Sequence, residues 1–449
     1  MIDLAQIPDN GHHILSPSGH SGWAYCTGQM LGLAEARARS TDNIASVEGT
    51  TGHFLLEITL ILRQSPLHIG WHSFNAAVVP EIKALMRDAE AWAKGIENNR
   101  HNTEEVKAFA RECYEQITSL NFTQEMRVEI DKCWQRIRAY LADGWELWPE
   151  AKVSLEKLFG HKHCDGTCDV LLFKKGRLLV VDLKYGIGIE VSPVENGQLS
   201  LYAGGAINHV HPRIVTSVEL VIMQPRINNG VWKSWPVPEG YLMSFLNDTK
   251  IKARAALTAL TGGPVEFNPS LSACQWCHRK SNCKARGEKA VSDTHAAFAA
   301  ATMGENAMTY DTTIIDNQAL AEILEKAPLA LSFFNDMAVE AQKRAAAGQV
   351  IPGRKLVQGR SKREWRNEEK LIAQLTDFGL SFGAMFNIKT KSPAQMDKTN
   401  LNDEQRAFCE TSTLRSHGAP SLTLESDSRP AVITNSIQAF DIVVEAELK

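Results

Sequence analysis

The chain has 449 residues, and 48 lysine and arginine residues stand against 52 aspartate and glutamate residues, for a formal net charge of −4. This length is typical of two or three domains, and 44% apolar with 22% charged residues excludes wholesale disorder and collagen-like or coiled-coil structure. No apolar run reaches the roughly 18–20 residues of a membrane-spanning helix. The lack of a basic excess also argues against nucleic acid, although net charge does not show where the charges lie.

The cysteines predict a protein of the reducing cytoplasm. There are nine, an odd number, in a long chain, which argues against a secreted disulfide framework. The opening residues, MIDLAQIPDNGHH, lack the basic-then-apolar layout of a secretory signal. We therefore expect free or metal-bound thiols, with Cys113 and Cys133 as small apolar core residues inside helices.

In chain order, helices come first. Apolar residues recur at helical spacing over 52–60, and the same periodicity predicts three helices between 78 and 143. Thr103 and Thr123, each followed by acidic residues, are expected to cap the second and third of these. The three helices resemble an insertion, at about 65–148.

The pattern then changes to strands. Alternating or continuous apolar runs predict four strands, at 151–159, 166–173, 177–186 and 217–226. A Lys-Lys-Gly turn joins the second and third strands into a hairpin, and helices are expected at 193–207 and 240–261. This order predicts an α/β core with a mixed central sheet flanked by helices.

The last third is richer in alanine. Helices are expected at 317–326, 331–347 and 367–379, and we predict a first domain over 1–285 and an accessory region over 286–449. Between residues 354 and 366 there are six basic residues, one tryptophan and one acid. This segment suits contact with a DNA backbone, and a solvated charged loop is an equal alternative.

Two aspartates on the predicted hairpin carry the strongest chemical signal. Asp169 is followed by twelve residues and then by Asp182-Leu-Lys184, so the carboxylates face each other across the hairpin. Compact carboxylates suit a hard cation such as Mg²⁺ or Mn²⁺. Lys184 projects from the same strand face as Asp182, where an ammonium can orient water and stabilise a phosphoryl oxygen. A simple ion pair at a strand end is the alternative.

Three more features accompany the hairpin residues. They are Gly52-His53 on the first helix, Gln198-x3-Tyr202 on the helix after the hairpin, and Cys26 with Cys274-x2-Cys277-x5-Cys283. Together with the hairpin, this order resembles the PD-(D/E)xK nuclease superfamily. The similarity is closest to its RecB-like branch, which includes AddB and the CRISPR-adaptation exonucleases with an iron–sulfur cluster.

The resemblance implies a restriction-endonuclease-like core and a Mg²⁺- or Mn²⁺-dependent DNA exonuclease. His53, Asp169, Asp182 and the backbone carbonyl of Leu183 would hold the metal, and Lys184 would position the attacking water. Gln198 and Tyr202 would contact DNA or brace the site. The whole-chain layout is also similar to bacteriophage-encoded nucleases of DNA recombination and end processing.

The resemblance also assigns the four cysteines, Cys26, Cys274, Cys277 and Cys283. They would hold a 4Fe–4S cluster, and zinc in the same thiolates is the alternative. Expected partners are DNA, as single strands or duplex ends, and a recombinase or single-strand-binding protein, with no membrane.

Further candidates and competing functions stay open. Glu57 and Glu150 are additional ligand candidates, and Trp23 and Tyr25 either stack on bases or are buried. A DNA-binding or assembly module without turnover and a site-specific endonuclease are the competing functions.

Overall fold

The computed structural model describes nine stretches of the chain. They are residues 14–33, 42–69, 80–99, 102–162, 164–187, 190–227, 230–301, 317–354 and 402–412. The chain divides into two compact units, Met1–Leu356 and Val357–Lys449. In the second unit the described residues form one helix, α9 (Asp403–Thr411), which begins with a capping box formed by Asn402 and Gln405.

The helices before the sheet confirm the predicted periodicity. They are α1 (Ile44–Leu62), α2 (Pro80–Asn98), α3 (Glu104–Ser119) and α4 (Gln124–Ala142). The side chains of Thr103 and Thr123 accept hydrogen bonds from the amides of Val106 and Met126, so both predicted caps are confirmed. Asn43 caps α1 in the same way, and this helix therefore begins earlier than the apolar pattern alone indicates.

A five-stranded mixed sheet lies at the centre of the first unit. Its strands are β1 (Glu146–Ser154), β2 (Asp165–Lys174), β3 (Arg177–Leu183), β4 (Ser217–Met223) and β5 (Lys233–Pro236), in that spatial order. Only β3 and β4 pair in parallel. A parallel pair needs a crossover, which α5 (Gly197–His209) supplies. The predicted mixed α/β architecture is confirmed at this level.

The sheet separates two apolar cores. Along β3, Leu178 and Val180 belong to one core, and Leu179, Val181 and Leu183 belong to the other, as the alternation of strand side chains requires. The first core includes residues of α5 and α6 (Tyr241–Leu260), and the second includes residues of α1, α2 and α4. Helices on both faces therefore hold β3, the strand that carries Asp182, in place.

Two helices complete the first unit, α7 (Lys284–Ala301) and α8 (Asn317–Ala346). The predicted break between 326 and 331 is wrong, because α8 continues through Pro328. The compact unit Met1–Leu356 includes both helices. None of the described helices is both long and apolar enough to cross a membrane.

Several predicted boundaries are also corrected. The strand predicted at 151–159 is β1, which ends at Ser154, and Glu156–Phe159 forms a helical turn whose last two amides bond to the Leu155 carbonyl. The helix predicted at 193–207 begins at Gly197, because the Asn196 side chain caps it. Strand β5 was not predicted, and the helix expected at 367–379 lies outside the described residues.

Candidate active site

The β2–β3 hairpin places two aspartates side by side at one end of the sheet. Val170 pairs with Val181, so Asp169 and Asp182 occupy facing positions one step further along. Both are buried, with exposures of 7% and 3%. Two buried carboxylates on neighbouring strands need compensating partners, since burial of an unpaired charge is costly.

Helix α1 supplies the first partner. His53 Nδ1 lies 3.2 Å from Asp169 Oδ1. The preceding residue, Gly52, allows this approach, because a Cβ atom there would lie 2.6 Å from the ring of the buried Tyr185. The Gly-His pair therefore combines close helix–strand contact with a nitrogen ligand aimed at the hairpin.

Glu150 brings a third ligand to this cluster. It lies within β1, between the paired residues Pro149 and Ala151, and the register places it opposite Asp169. Its φ of 43° is in the left-handed region, which is uncommon for a residue with a side chain. One ligand atom from each of His53, Glu150 and Asp169 lies within 4.8 Å of the others. The sequence interpretation had placed Glu150 before the first strand, as a secondary candidate.

Asp182 is held by a separate network. Lys184 Nζ lies 2.9 Å from Asp182 Oδ2, and Gln198 Nε2 donates to Asp182 Oδ1 at 3.1 Å. Gln198 also accepts from Lys184 at 3.2 Å and lies 3.1 Å from the hydroxyl of Tyr202. The structure thus brings the predicted Asp, Lys, Gln and Tyr together. Asp182 Oδ2 is thus occupied by the Lys184 ammonium, with which a cation would have to share it.

The carboxylate Oδ2 of Asp169 is fixed by the hairpin itself. The backbone amide of Leu183 donates to it at 2.5 Å. Lys184 N–H donates in turn to the carbonyl of Met223 at 2.7 Å, which continues the parallel pairing past the end of β3. Both aspartates and the lysine are therefore oriented by backbone pairing.

Neighbouring charges oppose the effect of burial on the pKa values of Asp169 and His53 and reinforce it for Glu150. Although burial acts the other way, His53 holds the pKa of Asp169 below its ordinary value. Although burial lowers it, the carboxylate of Asp169 raises the pKa of His53 to about 9. Burial, and then the charge of Asp169, raise the pKa of Glu150 to about 8. At neutral pH the cluster therefore holds protons that a cation can displace.

These donors fit a hard divalent cation. Oxygens of Glu150 and Asp169 and an imidazole nitrogen converge at the end of the sheet. Asp182 lies outside this group of three close ligand atoms among the described residues and is ion-paired with Lys184. Glu57, one turn from His53 on α1, does not belong to the group of three close ligand atoms among the described residues. Burial and Asp88 raise its pKa to about 7.

The four predicted cysteines line one cavity of about 330 Å³. They are Cys26, Cys274, Cys277 and Cys283, and all are free thiols. The Asn268 amide donates to Cys26 Sγ at 3.4 Å, so the N-terminal cysteine is fixed against the segment before Cys274. The structure therefore unites residues that lie about 250 positions apart in the sequence.

A buried arginine ties the cysteine segment to α8. Arg286, 1% exposed, donates to the Lys280 carbonyl at 2.9 Å, to Asp336 at 2.7 Å and to Ser332 Oγ at 2.9 Å. Lys280 Nζ also lies 3.0 Å from Asp336. Sequence reasoning missed this contact, because nothing local marks residues that lie 50 positions apart as partners.

The remaining predicted residues lie elsewhere. Trp23 is a core residue, 2% exposed, whereas Tyr25 is 47% exposed and has Lys252 over its ring. Cys113 and Cys133 are buried in helices, as expected. The basic segment 354–366 lies outside the described residues except for its first residue, Arg354.

The fold and site define an α/β protein with a histidine–carboxylate cluster at the end of a mixed sheet and a separate four-cysteine cavity. The chain belongs to the DUF2800 family, described as "Protein of unknown function", whose model matches residues 12–430. The match includes both the cluster and the cavity.

Proposed function

We propose that this protein is a metal-dependent nuclease with a PD-(D/E)xK core of the RecB-like type, acting on DNA as an exonuclease. The observation that carries the proposal is the convergence of His53, Glu150 and Asp169 within 4.8 Å, beside an Asp182–Lys184 pair. Nothing in the fold requires this many buried ionisable groups, whereas phosphodiester hydrolysis requires ligands for a cation and a cationic side chain at one place.

The metal ligands of the proposal are His53, Asp169, Asp182 and the carbonyl of Leu183. We include Glu150 among them, because its carboxylate lies close to His53 and Asp169. Mg²⁺ or Mn²⁺ held there supplies Lewis acidity and lowers the pKa of a bound water. The Leu183 amide and His53 orient the two oxygens of Asp169 before any cation arrives. Such preorganisation avoids rearrangement during the reaction.

Lys184 supplies positive charge next to the ligands. Although burial lowers it, Asp182 raises the pKa of Lys184 above its ordinary value, so the ammonium stays charged. It is held between Asp182 and the Gln198 amide oxygen. From this position it would orient the attacking water and stabilise negative charge on the phosphoryl oxygens. Gln198 contacts both Asp182 and Lys184 and is itself in contact with the Tyr202 hydroxyl. In the proposal these two residues of α5 position the aspartate and the lysine.

The test compares labelled DNA with and without Mn²⁺ or Mg²⁺. We expect the parent protein to shorten linear DNA from its ends, and Asp182→Asn or Lys184→Gln to lose at least roughly 100-fold in rate. Asp143→Asn is the matched control, since this aspartate is exposed and pairs with Lys174 away from the cluster. Full activity in Asp182→Asn would refute the proposal.

The form of the products separates the competing functions. Covalently closed circles would be spared by an exonuclease and cut by a site-specific endonuclease. Binding of DNA without cleavage under all metal conditions would instead favour a DNA-binding or assembly module. The intact set of Asp169, Asp182 and Lys184 favours turnover.

We further propose that the cysteine cavity holds a 4Fe–4S cluster. Four thiols suit such a cluster, and the cavity of about 330 Å³ has room for it. Zinc, at about 2.3 Å from each sulfur, would need sulfurs about 3.8 Å apart. Among the described residues, no three of these sulfurs lie within 4.8 Å of one another. The spacing therefore favours the larger group, with zinc as the alternative outcome.

Metal content distinguishes the two. Anaerobically purified protein should be brown, with about four irons per chain, and Cys26→Ser should lose most of this iron. Cys409→Ser, in α9 of the second unit, is the control and should keep it. A colourless protein with one zinc would refute the cluster.

The proposed setting is the cytoplasm of a bacterial cell, in DNA recombination, repair or end processing encoded by a bacteriophage. All nine cysteines are free thiols, which is in keeping with a reducing compartment. A recombinase or a single-strand-binding protein is the expected partner.

A further inference from the structure

One tryptophan of the cysteine segment is turned away from the fold. Trp276 lies between Cys274 and Cys277, whose side chains face the cavity, and it is 71% exposed. By comparison, Trp23 is 2% exposed and its indole nitrogen donates to the Ser16 carbonyl at 2.9 Å. An indole with so little burial contributes little to the stability of the core.

The segment that carries this ring is held rigidly. The Cys277 amide donates to the Cys274 carbonyl at 3.2 Å, and the Lys280 amide donates to the Cys277 carbonyl at 3.1 Å. Arg286 and Asp336 fix the same segment to α8. A ring presented on a fixed support loses little conformational entropy when a ligand covers it.

The sequence around the indole is rich in positive charge. Residues 274–289 contain five lysine or arginine residues and a single glutamate, although Arg286 is buried and bound to Asp336. Lys280 Nζ lies 3.5 Å from the Gln275 carbonyl, which is the peptide group next to Trp276. The side chain of Lys284 is 88% exposed, and its ion pair with Glu288 is long, at 3.5 Å. The Lys284 ammonium is therefore available to an anion, since exposed pairs of this kind are weak, whereas the Lys280 ammonium is paired with Asp336 at 3.0 Å.

We propose that Trp276 is a stacking platform for a base of single-stranded DNA, with Lys284 contacting the adjacent backbone. An exposed aromatic ring beside cations is the pairing that binds single strands, whose bases have free faces and whose backbone is anionic. Duplex DNA hides those faces within its stack, so the surface distinguishes the two forms. No aromatic ring among the described residues stacks on the indole. The proposal deepens the proposed nuclease function, on which it rests for the identity of the substrate.

Tyr25 is a weaker candidate for the same role. The Lys252 ammonium lies 4.2 Å from the centre of its ring, and His20 contacts its edge at 5.6 Å. One face of Tyr25 is therefore covered before any base arrives.

The test measures binding of a labelled oligothymidine by fluorescence anisotropy, with full-length protein and no added divalent metal. Trp276→Ala should weaken this binding roughly 5- to 100-fold, Trp276→Phe should keep most of it, and binding to a duplex should change less. Lys284→Gln should weaken both forms alike and reduce the salt dependence. Leu331→Ala, which removes an exposed side chain of α8, is the matched control and should change neither.

Two results would overturn the proposal. One is oligothymidine binding by Trp276→Ala that equals that of the parent, when metal content and melting temperature are also unchanged. The other is an equal loss on single strands and duplex. The binding assay does not depend on cleavage, so it can be interpreted even if the protein has no nuclease activity. A Trp276→Ala variant that cleaves DNA and binds oligothymidine as the parent does would refute the stacking role and leave the nuclease proposal intact.

Discussion

Replacing Gly52 by alanine tests how α1 positions the histidine of the cluster. The new Cβ would lie 2.6 Å from Cγ of Tyr185 and within 3.0 Å of both Cδ atoms. Tyr185 is 3% exposed and lies beneath the guanidinium of Arg226, at 5.0 Å. Because the ring is buried and covered by Arg226, it cannot turn out to solvent easily, and we expect helix α1 and the end of β3 to separate instead.

The size of the effect follows from this overlap. Ordinary contact begins at 3.4 Å, so the ring or helix must move by about 0.8 Å. Overpacking of this kind costs about 1–3 kcal/mol, and the better helix propensity of alanine offsets about 0.5–1 kcal/mol. We therefore expect a net loss of about 1–2 kcal/mol. Since a shift near 1 Å in a site can cost roughly 100-fold in rate, we also expect a loss of tenfold or more in nuclease activity.

Urea unfolding would measure the loss of stability, and cleavage of end-labelled DNA would measure the loss of activity. Mn²⁺ titration calorimetry would show whether the displaced histidine also weakens metal binding. Gly49→Ala is the matched control, because Gly49 is in the same helix and a Cβ there meets nothing within 4 Å. It should stabilise the protein by about 0.5–1 kcal/mol and leave Mn²⁺ binding unchanged. Adding Tyr185→Leu to Gly52→Ala should recover part of the lost Mn²⁺ affinity. If Gly52→Ala behaves as Gly49→Ala does, the close approach of α1 does not position the site.

Three further predictions concern buried charge and helix continuity. Arg286→Met should lower the free energy of unfolding in urea by about 1–3 kcal/mol, since Ser332 and the Lys280 carbonyl lose a buried donor while Asp336 keeps its ion pair with Lys280. Arg111→Met at an exposed pair should cost under about 1 kcal/mol. Burial and the neighbouring carboxylates raise the pKa of Glu150 to about 8, so the stability of its protonated form is present at low pH and lost as the pH rises through 8. Glu150→Gln should therefore raise the melting temperature of metal-free protein, relative to the parent, more at pH 9 than at pH 5, and a constant difference would contradict this. Pro328→Ala should restore a backbone donor inside α8. It should therefore raise the free energy of unfolding by about 1–3 kcal/mol, which a higher melting temperature would show.

The local half of the site was predictable because its spacing reflects strand geometry. The positions of Asp169 and Asp182 follow from the hairpin register, and Lys184 follows from strand alternation. Gln198 and Tyr202, four residues apart on one side of α5, meet this end of β3 as expected. The physical reason is that both patterns are set by neighbouring residues.

The parts that failed depend on edges and on distant contacts. Pro149 and the charged residues around it hide the first half of β1, yet proline is tolerated there because β1 is an edge strand. Four-residue β5 is too short for a periodic signal. Glu150 could not be placed, since its left-handed backbone breaks the alternation on which the strand prediction relies. The pair Arg286–Asp336 has no local signature.

The cysteine cavity has a consequence for the order in which the protein is made. Its first cysteine, Cys26, leaves the ribosome more than 240 residues before Cys274, and its last, Cys283, follows the whole sheet. A group bound by all four sulfurs can therefore be inserted only when the sheet and its flanking helices have been synthesised. Closing a loop of this length would remove roughly 5 kcal/mol of entropy from the unfolded chain. Insertion of such a group would then be a late step of biosynthesis, and chains with an incomplete sheet would fail to retain it.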